Sequence, residues 1–301
     1  MCSERSRMRA PRLLAATASI ETAPIATACI ATALLSGALA CLPAQAPEEP
    51  LYEPVALPAC QPNLDGRIER AELPFVVGAT ARVRVGLDLP VSTLGEPGRG
   101  SARVWDLSRP DPEDEPVGLL TLEGMGEQWF AAEFPDADVA GPLQPGNALL
   151  GPLALDEDGV RLLGSASAEE SPAEGRTRLV YDTPVTLYPL PLELGSEVET
   201  VSRVLGGELM GLPVAFEDTT TVSVSAHGQV VLPDLILDDA LRVTVRLSRL
   251  PVAGIAVQQV THIFVNECLG EVARMVSPAV PLTDELPDDF PVAAQVWRLA
   301  L

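Results

Sequence analysis

The chain contains no lysine: all 20 of its basic side chains are arginines. That absence removes Schiff-base chemistry, phosphate-loop and kinase-type lysines, and Ser-x-x-Lys acylation centres. Histidine is almost as scarce, with only His227 and His262. Neither sits in His-Glu-x-x-His or another metal-binding spacing. No Gly-x-Ser-x-Gly elbow occurs, and a Ser-His-Asp triad would have to draw on one of those two histidines. Aromatic residues make up 4% of the chain. The core must therefore be aliphatic, and a sugar-stacking cleft is disfavoured.

What is abundant is acid. With 42 acidic residues the formal net charge is −22, which repels nucleic-acid phosphates and argues against a nucleic-acid partner. The acidity serves as a solvated surface, or alternatively attracts cations such as calcium. So many carboxylates offer many pairs, so no single pair marks a hydrolase.

The first residues carry Arg5, Arg7, Arg9 and Arg12, followed by an apolar run of 16 residues, Ile25 to Ala40, and then Cys41. A basic start, an apolar middle and small residues before a cut form an export signal, and the run is short for a membrane span of about 20 residues. Ala38-Leu39-Ala40-Cys41 permits two cuts at one place. It is an Ala-x-Ala site for ordinary secretion. It also resembles a degenerate lipobox, in which Cys41 becomes lipidated and anchors the chain to a membrane. Residues 42–59 are rich in Pro, Glu and Ala, as suits a tether. Of five cysteines, Cys2 and Cys29 leave with the expected signal, and in the lipidated form Cys41 takes the lipid. The two left over, Cys60 and Cys268, are expected to pair in an oxidising compartment.

The body alternates with period two. In ATARVRVGLDL the residues Ala79, Ala81, Val83, Val85, Leu87 and Leu89 share one face. In ALRVTVRLS, Leu241, Val243, Val245 and Leu247 oppose Arg242, Thr244, Arg246 and Ser248. These patterns predict half-buried strands with one face in water. TTTVSVSAHGQVVLPDL predicts two short strands around a turn at His227-Gly228. No apolar stretch of helical period follows the signal, so the expected fold is all-β, an antiparallel sandwich or curved sheet. Acidic, Gly and Pro residues between Ser101 and Glu174 predict surface loops, with 91–100 and 165–175 mobile. The expected organisation is signal 1–40, tether 41–59, a loop at 60–74, β subdomains at 75–190 and 191–280, and an extension at 281–301. Two subdomains sharing one sheet and two separate domains both fit the pattern.

The strings LYPLPLELG, SAHGQVVLPDLILDDALRVTVRL and IFVNECLGEVARMVSP resemble secreted proteins and lipoproteins of myxobacterial type over roughly residues 180–280. The resemblance implies an exported β protein and carries no activity or catalytic residue with it.

CQPNLDGRIERAEL, Cys60 to Leu73, is the nearest thing to a site motif. Aligned to a calcium loop, its ligands would be Gln61, Asn63, Asp65, the backbone carbonyl of Arg67, and Glu72, with Gly66 at the sharp turn. Gln61 places a neutral amide where a carboxylate normally stands. Pro54, Pro58, Pro62 and Pro74 forbid the two flanking helices of an EF-hand. The alternative is an Asn-Leu-Asp-Gly turn and a short helical turn with no metal. The expected function is a non-enzymatic structural or interaction module of the bacterial cell envelope. The alternative is a carrier of a lipid or other apolar ligand, and a carboxylate-dependent hydrolase ranks below both.

Overall fold

The computed structural model describes residues 60–109 and 116–300; the signal, Cys41 and the tether lie outside them. The described residues belong to one compact unit, Glu53–Leu301. In chain order the strands are β1 (Arg67–Ile68), β2 (Thr80–Pro90), β3 (Glu96–Pro97), β4 (Arg103–Asp106), β5 (Val117–Thr121) and β6 (Glu123–Gly124). Next come β7 (Val139–Pro142), β8 (Leu149–Asp156), β9 (Gly159–Ser167), β10 (Arg178–Pro189), β11 (Leu192–Glu193) and β12 (Glu197–Leu209). The last are β13 (Leu212–Val231), β14 (Ile236–Pro251), β15 (Val257–Asn266), β16 (Gly270–Val276), β17 (Val280–Pro281) and β18 (Val292–Ala300).

The fold is all-β, as the alternation predicts. Sixteen strands form one sheet: thirteen run in the order β5-β2-β18-β16-β15-β14-β13-β12-β10-β9-β8-β7-β6, β17 pairs with β15, and the β3–β4 pair joins through β4 on β13; β1 pairs with β11 in a second, two-stranded sheet. Every pairing is antiparallel except β4 with β13. The two ends of the large sheet, β5 and β6, are separated by Leu122 alone. Leu122 donates its N–H to Ala79 and accepts from the N–H of Gly78, both just before β2. The sheet therefore curls until its ends nearly meet, which removes most of the open edge that a flat sheet would leave. The strands on either side of residue 190, β10 and β12, are neighbours in it.

The central strands are covered on both faces. On one face, Val222, Val224, Leu241, Val243, Ile263 and Val265 pack against Val139, Leu153, Val160 and Tyr188. On the other, Phe264, Ala273, Met275 and Val296 pack against Trp105, Leu107 and Phe290. The half-buried strands expected from period two therefore become fully covered where the segment ending at Phe290 and the β3–β4 pair lie over them. Thr244, on the face assigned to water, is 3% exposed for this reason.

Two further expectations change. The turn predicted at His227-Gly228 does not exist, because β13 runs through it as one strand of 20 residues. Gly228 is there because β4 passes beside it. A Cβ at Gly228 would fall 1.9 Å from the carbonyl oxygen of Arg103, which fits the use of strand glycines for close backbone approach. Nor is the described part of 101–174 loop throughout. It holds β4 to β9, and Ser165 and Ser167, in a stretch expected to be mobile, are buried in β9.

Candidate functional site

The calcium-loop-like stretch folds as a clasp on the turn between β15 and β16. Cys60 and Cys268 form a disulfide with a Cα–Cα separation of 5.5 Å, the pairing expected from the cysteine count. Glu267, buried at the same turn, accepts hydrogen bonds on one carboxylate oxygen from the N–H groups of Asn63 at 2.7 Å and Leu64 at 3.0 Å. The N–H of Cys268 donates to the carbonyl of Glu72 at 2.8 Å. Below these polar links, Ile68 and Leu73 enter the main core beside Leu192 and Val265. β1 pairs with β11 through Arg67 opposite Glu193 and Ile68 opposite Leu192.

The predicted ligands are thus brought to one loop, and Asn63, Asp65 and Glu72 each spend one side-chain oxygen on the loop's own bonds. Asn63 Oδ1 accepts from the N–H of Asp65, and Asp65 Oδ1 from the N–H of Arg67, each at 2.9 Å. These are Asx turns, the short-range bonding that these two side chains favour outside regular structure. Glu72 Oε2 accepts from the N–H of Glu69 at 2.8 Å in a reciprocal capping box around a 3-10 turn, Arg70–Glu72. That turn is the short helical turn expected there, and Gly66 takes the left-handed φ of +80° that the sharp bend requires. Gln61 is exposed and Arg67 lies within β1. Among the described residues no three or more His, Cys, Asp or Glu side chains gather as a metal cluster.

A cleft with a volume of about 200 Å³ opens beside the clasp, lined by Gly66, Leu194, His227, Asp239 and Leu241. A second, also of about 200 Å³, is lined by Leu89, Asp106, Leu107, Val296, Arg298 and neighbours. Both fall below the roughly 300–1,000 Å³ of ordinary small-molecule pockets.

His262 is enclosed, with no exposed surface. Its Nε2 lies 2.8 Å from the carbonyl oxygen of Asp288, which can only accept, so Nε2 carries the proton. Nδ1 then accepts from the hydroxyl of Thr244 at 3.0 Å. Thr244 accepts from Ser225 at 2.8 Å, and Ser225 from the Nε–H of Arg242 at 3.0 Å. Every proton points one way along this chain. Burial pushes the imidazole down to about 4, opposed by the Asp288 bond and helped by Arg242 and Arg246. Both ring nitrogens are used, so this histidine is a fixed structural group.

Two Tyr–carboxylate–Arg groups were not legible in the sequence. Arg274 grips Glu271 through two bonds of 2.7 and 2.5 Å, and the Tyr188 hydroxyl donates to Glu271 at 3.5 Å. Arg249 grips Asp218 at 2.8 and 2.7 Å, with the Tyr181 hydroxyl donating to it at 3.4 Å. The guanidinium groups also lie over rings, Arg274 at 4.3 Å from Trp297 and Arg249 at 4.0 Å from Phe216. Desolvation raises both phenols, Tyr181 to about 12. Such two-bond Arg–carboxylate pairs satisfy buried charge and fix register.

No protein-family model matches the chain, and neither does any curated protein or solved structure.

Proposed function

We propose that this chain is an exported protein of the bacterial cell envelope, held by a lipid on Cys41 and acting as a non-enzymatic structural or interaction module. The observation that carries the reading is the clasp at Cys60. A tether from Cys41 enters the β unit where a disulfide joins Cys60 to the β15–β16 turn. Tension on that tether would pass into the central strands instead of peeling residues 61–74 away from the core. The resemblance to secreted proteins and lipoproteins of myxobacterial type agrees with this placement. Labelling of producing cells with radioactive palmitate tests the anchor. The wild-type chain should take up label and the Cys41→Ser chain should not; a wild-type chain without label ends the lipid-anchored form of the proposal.

The carrier reading is the weaker one, since both faces of the central strands are filled by side chains and the two clefts are small. Hydrolysis by paired carboxylates is weaker still, because each cleft is lined by a single one, Asp239 or Asp106. In the same proposal, the loop at 61–72 serves as a turn that stiffens the entrance. Calcium there would have to share Asn63 Oδ1 and Asp65 Oδ1 with backbone donors. Titration calorimetry at millimolar calcium decides between them: binding heat with a raised melting temperature would restore the metal site.

A further inference from the structure

The exposed apolar side chains are unevenly placed. Among the described residues the four most exposed large ones are Val252 (83%), Leu205 (78%), Ile255 (73%) and Leu212 (67%). All four lie at one end of the sheet, on the β12–β13 hairpin and the β14–β15 turn. Leu212 stands directly opposite Leu209 across the β12–β13 pair. The N–H of Val252 bonds the carbonyl of Ala215, one step from the Phe216–Val204 pair that precedes Leu205. β13 continues four residues past its last partner in β14, Pro251 opposite Phe216. The Met210-Gly211 turn is braced from behind, its N–H groups donating to Thr177 Oγ1 at 3.2 Å and to the Arg176 carbonyl at 2.8 Å, and the Met210 side chain stays exposed.

We propose that this end is a membrane-docking tip that inserts Leu205, Met210, Leu212, Val252 and Ile255 into the apolar layer of a lipid surface. The charges behind it suit that occupant. Arg176 pairs with Glu208, Arg203 with Glu217 and Arg249 with Asp218, each at 2.7 Å. Insertion is therefore driven by apolar area, with no call for anionic headgroups, which a chain of net charge −22 would repel. Two hairpin ends also offer far fewer than the roughly 20–30 residues a side of a standard protein interface, which disfavours a second copy as the occupant. The chain outside the structure has the necessary reach. Eighteen residues separate Cys41 from Cys60, and at about 3.3–3.6 Å each they span up to about 65 Å. Cys268 lies at the opposite end of β15 from the tip. Fifteen steps of β13 separate Leu212 from His227, which lies level with Leu241 and Val265, or about 50 Å along a strand. An anchored chain can therefore bring the tip to the same leaflet. The proposal rests on the envelope reading only in that a membrane is the surface presented.

The test uses the full chain carrying Cys41→Ser, so that its outcome is separate from lipidation. A tryptophan is placed at the tip (Val252→Trp) or, as control, at the exposed clasp (Gln61→Trp). With phosphatidylcholine vesicles the tip tryptophan should shift its emission to shorter wavelength and be quenched by brominated acyl chains, while the control does neither. Adding Leu205→Asp to the Val252→Trp chain should weaken the shift's vesicle-concentration midpoint about tenfold or more, with the melting temperature held. No shift at position 252, equal shifts at both positions, or a dimer dissolved by Leu205→Asp without any vesicle response would each overturn the proposal.

Discussion

Removing the Cys60–Cys268 bond should cost this protein more than its position near the start of the domain suggests. The bond joins residues 208 apart, so its loop encloses every strand from β1 to β15 and leaves out β16 to β18. In the chain-entropy treatment a loop of that size restricts the unfolded chain by about 5 kcal/mol at 25 °C, an upper figure because real unfolded chains are already compact. The folded contacts around the bond do not depend on it. Ile68 and Leu73 remain in the core, Glu267 keeps its two backbone donors, and β1 stays on β11. The loss should therefore fall on the unfolded side of the balance. For a chain of this size 1 kcal/mol moves the melting temperature by about 2–4 °C, so the Cys60→Ser, Cys268→Ser chain should melt about 10 °C lower. Reducing agent should lower the wild type similarly and leave the double variant unmoved. Scanning calorimetry, with native circular dichroism unchanged at 25 °C, is the assay. A shift under about 2 °C would refute the reasoning. It would mean that residues 60–74 close the loop as tightly in the unfolded ensemble as the disulfide does.

His262 makes stability depend on pH. Its folded pKa, pushed down by burial to about 4, lies below the ordinary value of about 6.5. The unfolded state therefore binds the extra proton first. The stabilisation is full above about pH 6.5 and is lost as pH falls toward 4, about 3 kcal/mol in all. A His262→Gln chain should lack that part of the acid slope when melting temperatures are compared from pH 7 to 4; equal slopes would rule it out. Glu267→Ala leaves the Asn63 and Leu64 N–H groups without their acceptor, for a cost of about 1–3 kcal/mol. Hydrogen exchange at residues 61–66 should quicken while the central strands keep their protection, and uniform quickening would contradict the clasp. Gly228→Ala would drive a methyl group into the Arg103 carbonyl and part β4 from β13. It should expose Trp105, seen as red-shifted fluorescence, and an unshifted, fully stable variant would show that the close approach is dispensable.

Much of the fold is legible in local pattern because period two is a property of the strand itself. ALRVTVRLS lies in β14, and IERAEL makes its short helical turn. Cys60 and Cys268 could be paired by counting, once Cys2 and Cys29 were assigned to an expected signal and Cys41 to an expected lipid. The misreadings share one cause. His-Gly reads as a turn when only the local sequence is weighed, yet Gly228 serves a strand that returns from residue 103. Ser165 and Ser167 look like loop residues until Trp129 donates its indole N–H to the Ser167 carbonyl at 2.8 Å. Glu267 carries no signal at all, being one acid among 42. Its importance comes from the two N–H groups that residues 63 and 64 bring to it.

Local pattern and composition were enough for the class of structure, a mainly aliphatic core, the catalytic chemistries that lack of lysine removes, and the disulfide pairing. These follow from periodicity, composition and counting, which need no third dimension. Only the tertiary structure decided which polar residues are buried, why His262 has both nitrogens spent, how the loop oxygens of Asn63 and Asp65 are engaged, and that the most exposed apolar residues share one end of the sheet. Those outcomes depend on strands far apart in the chain meeting in one register, and hydrogen bonding and burial are set by neighbours in space.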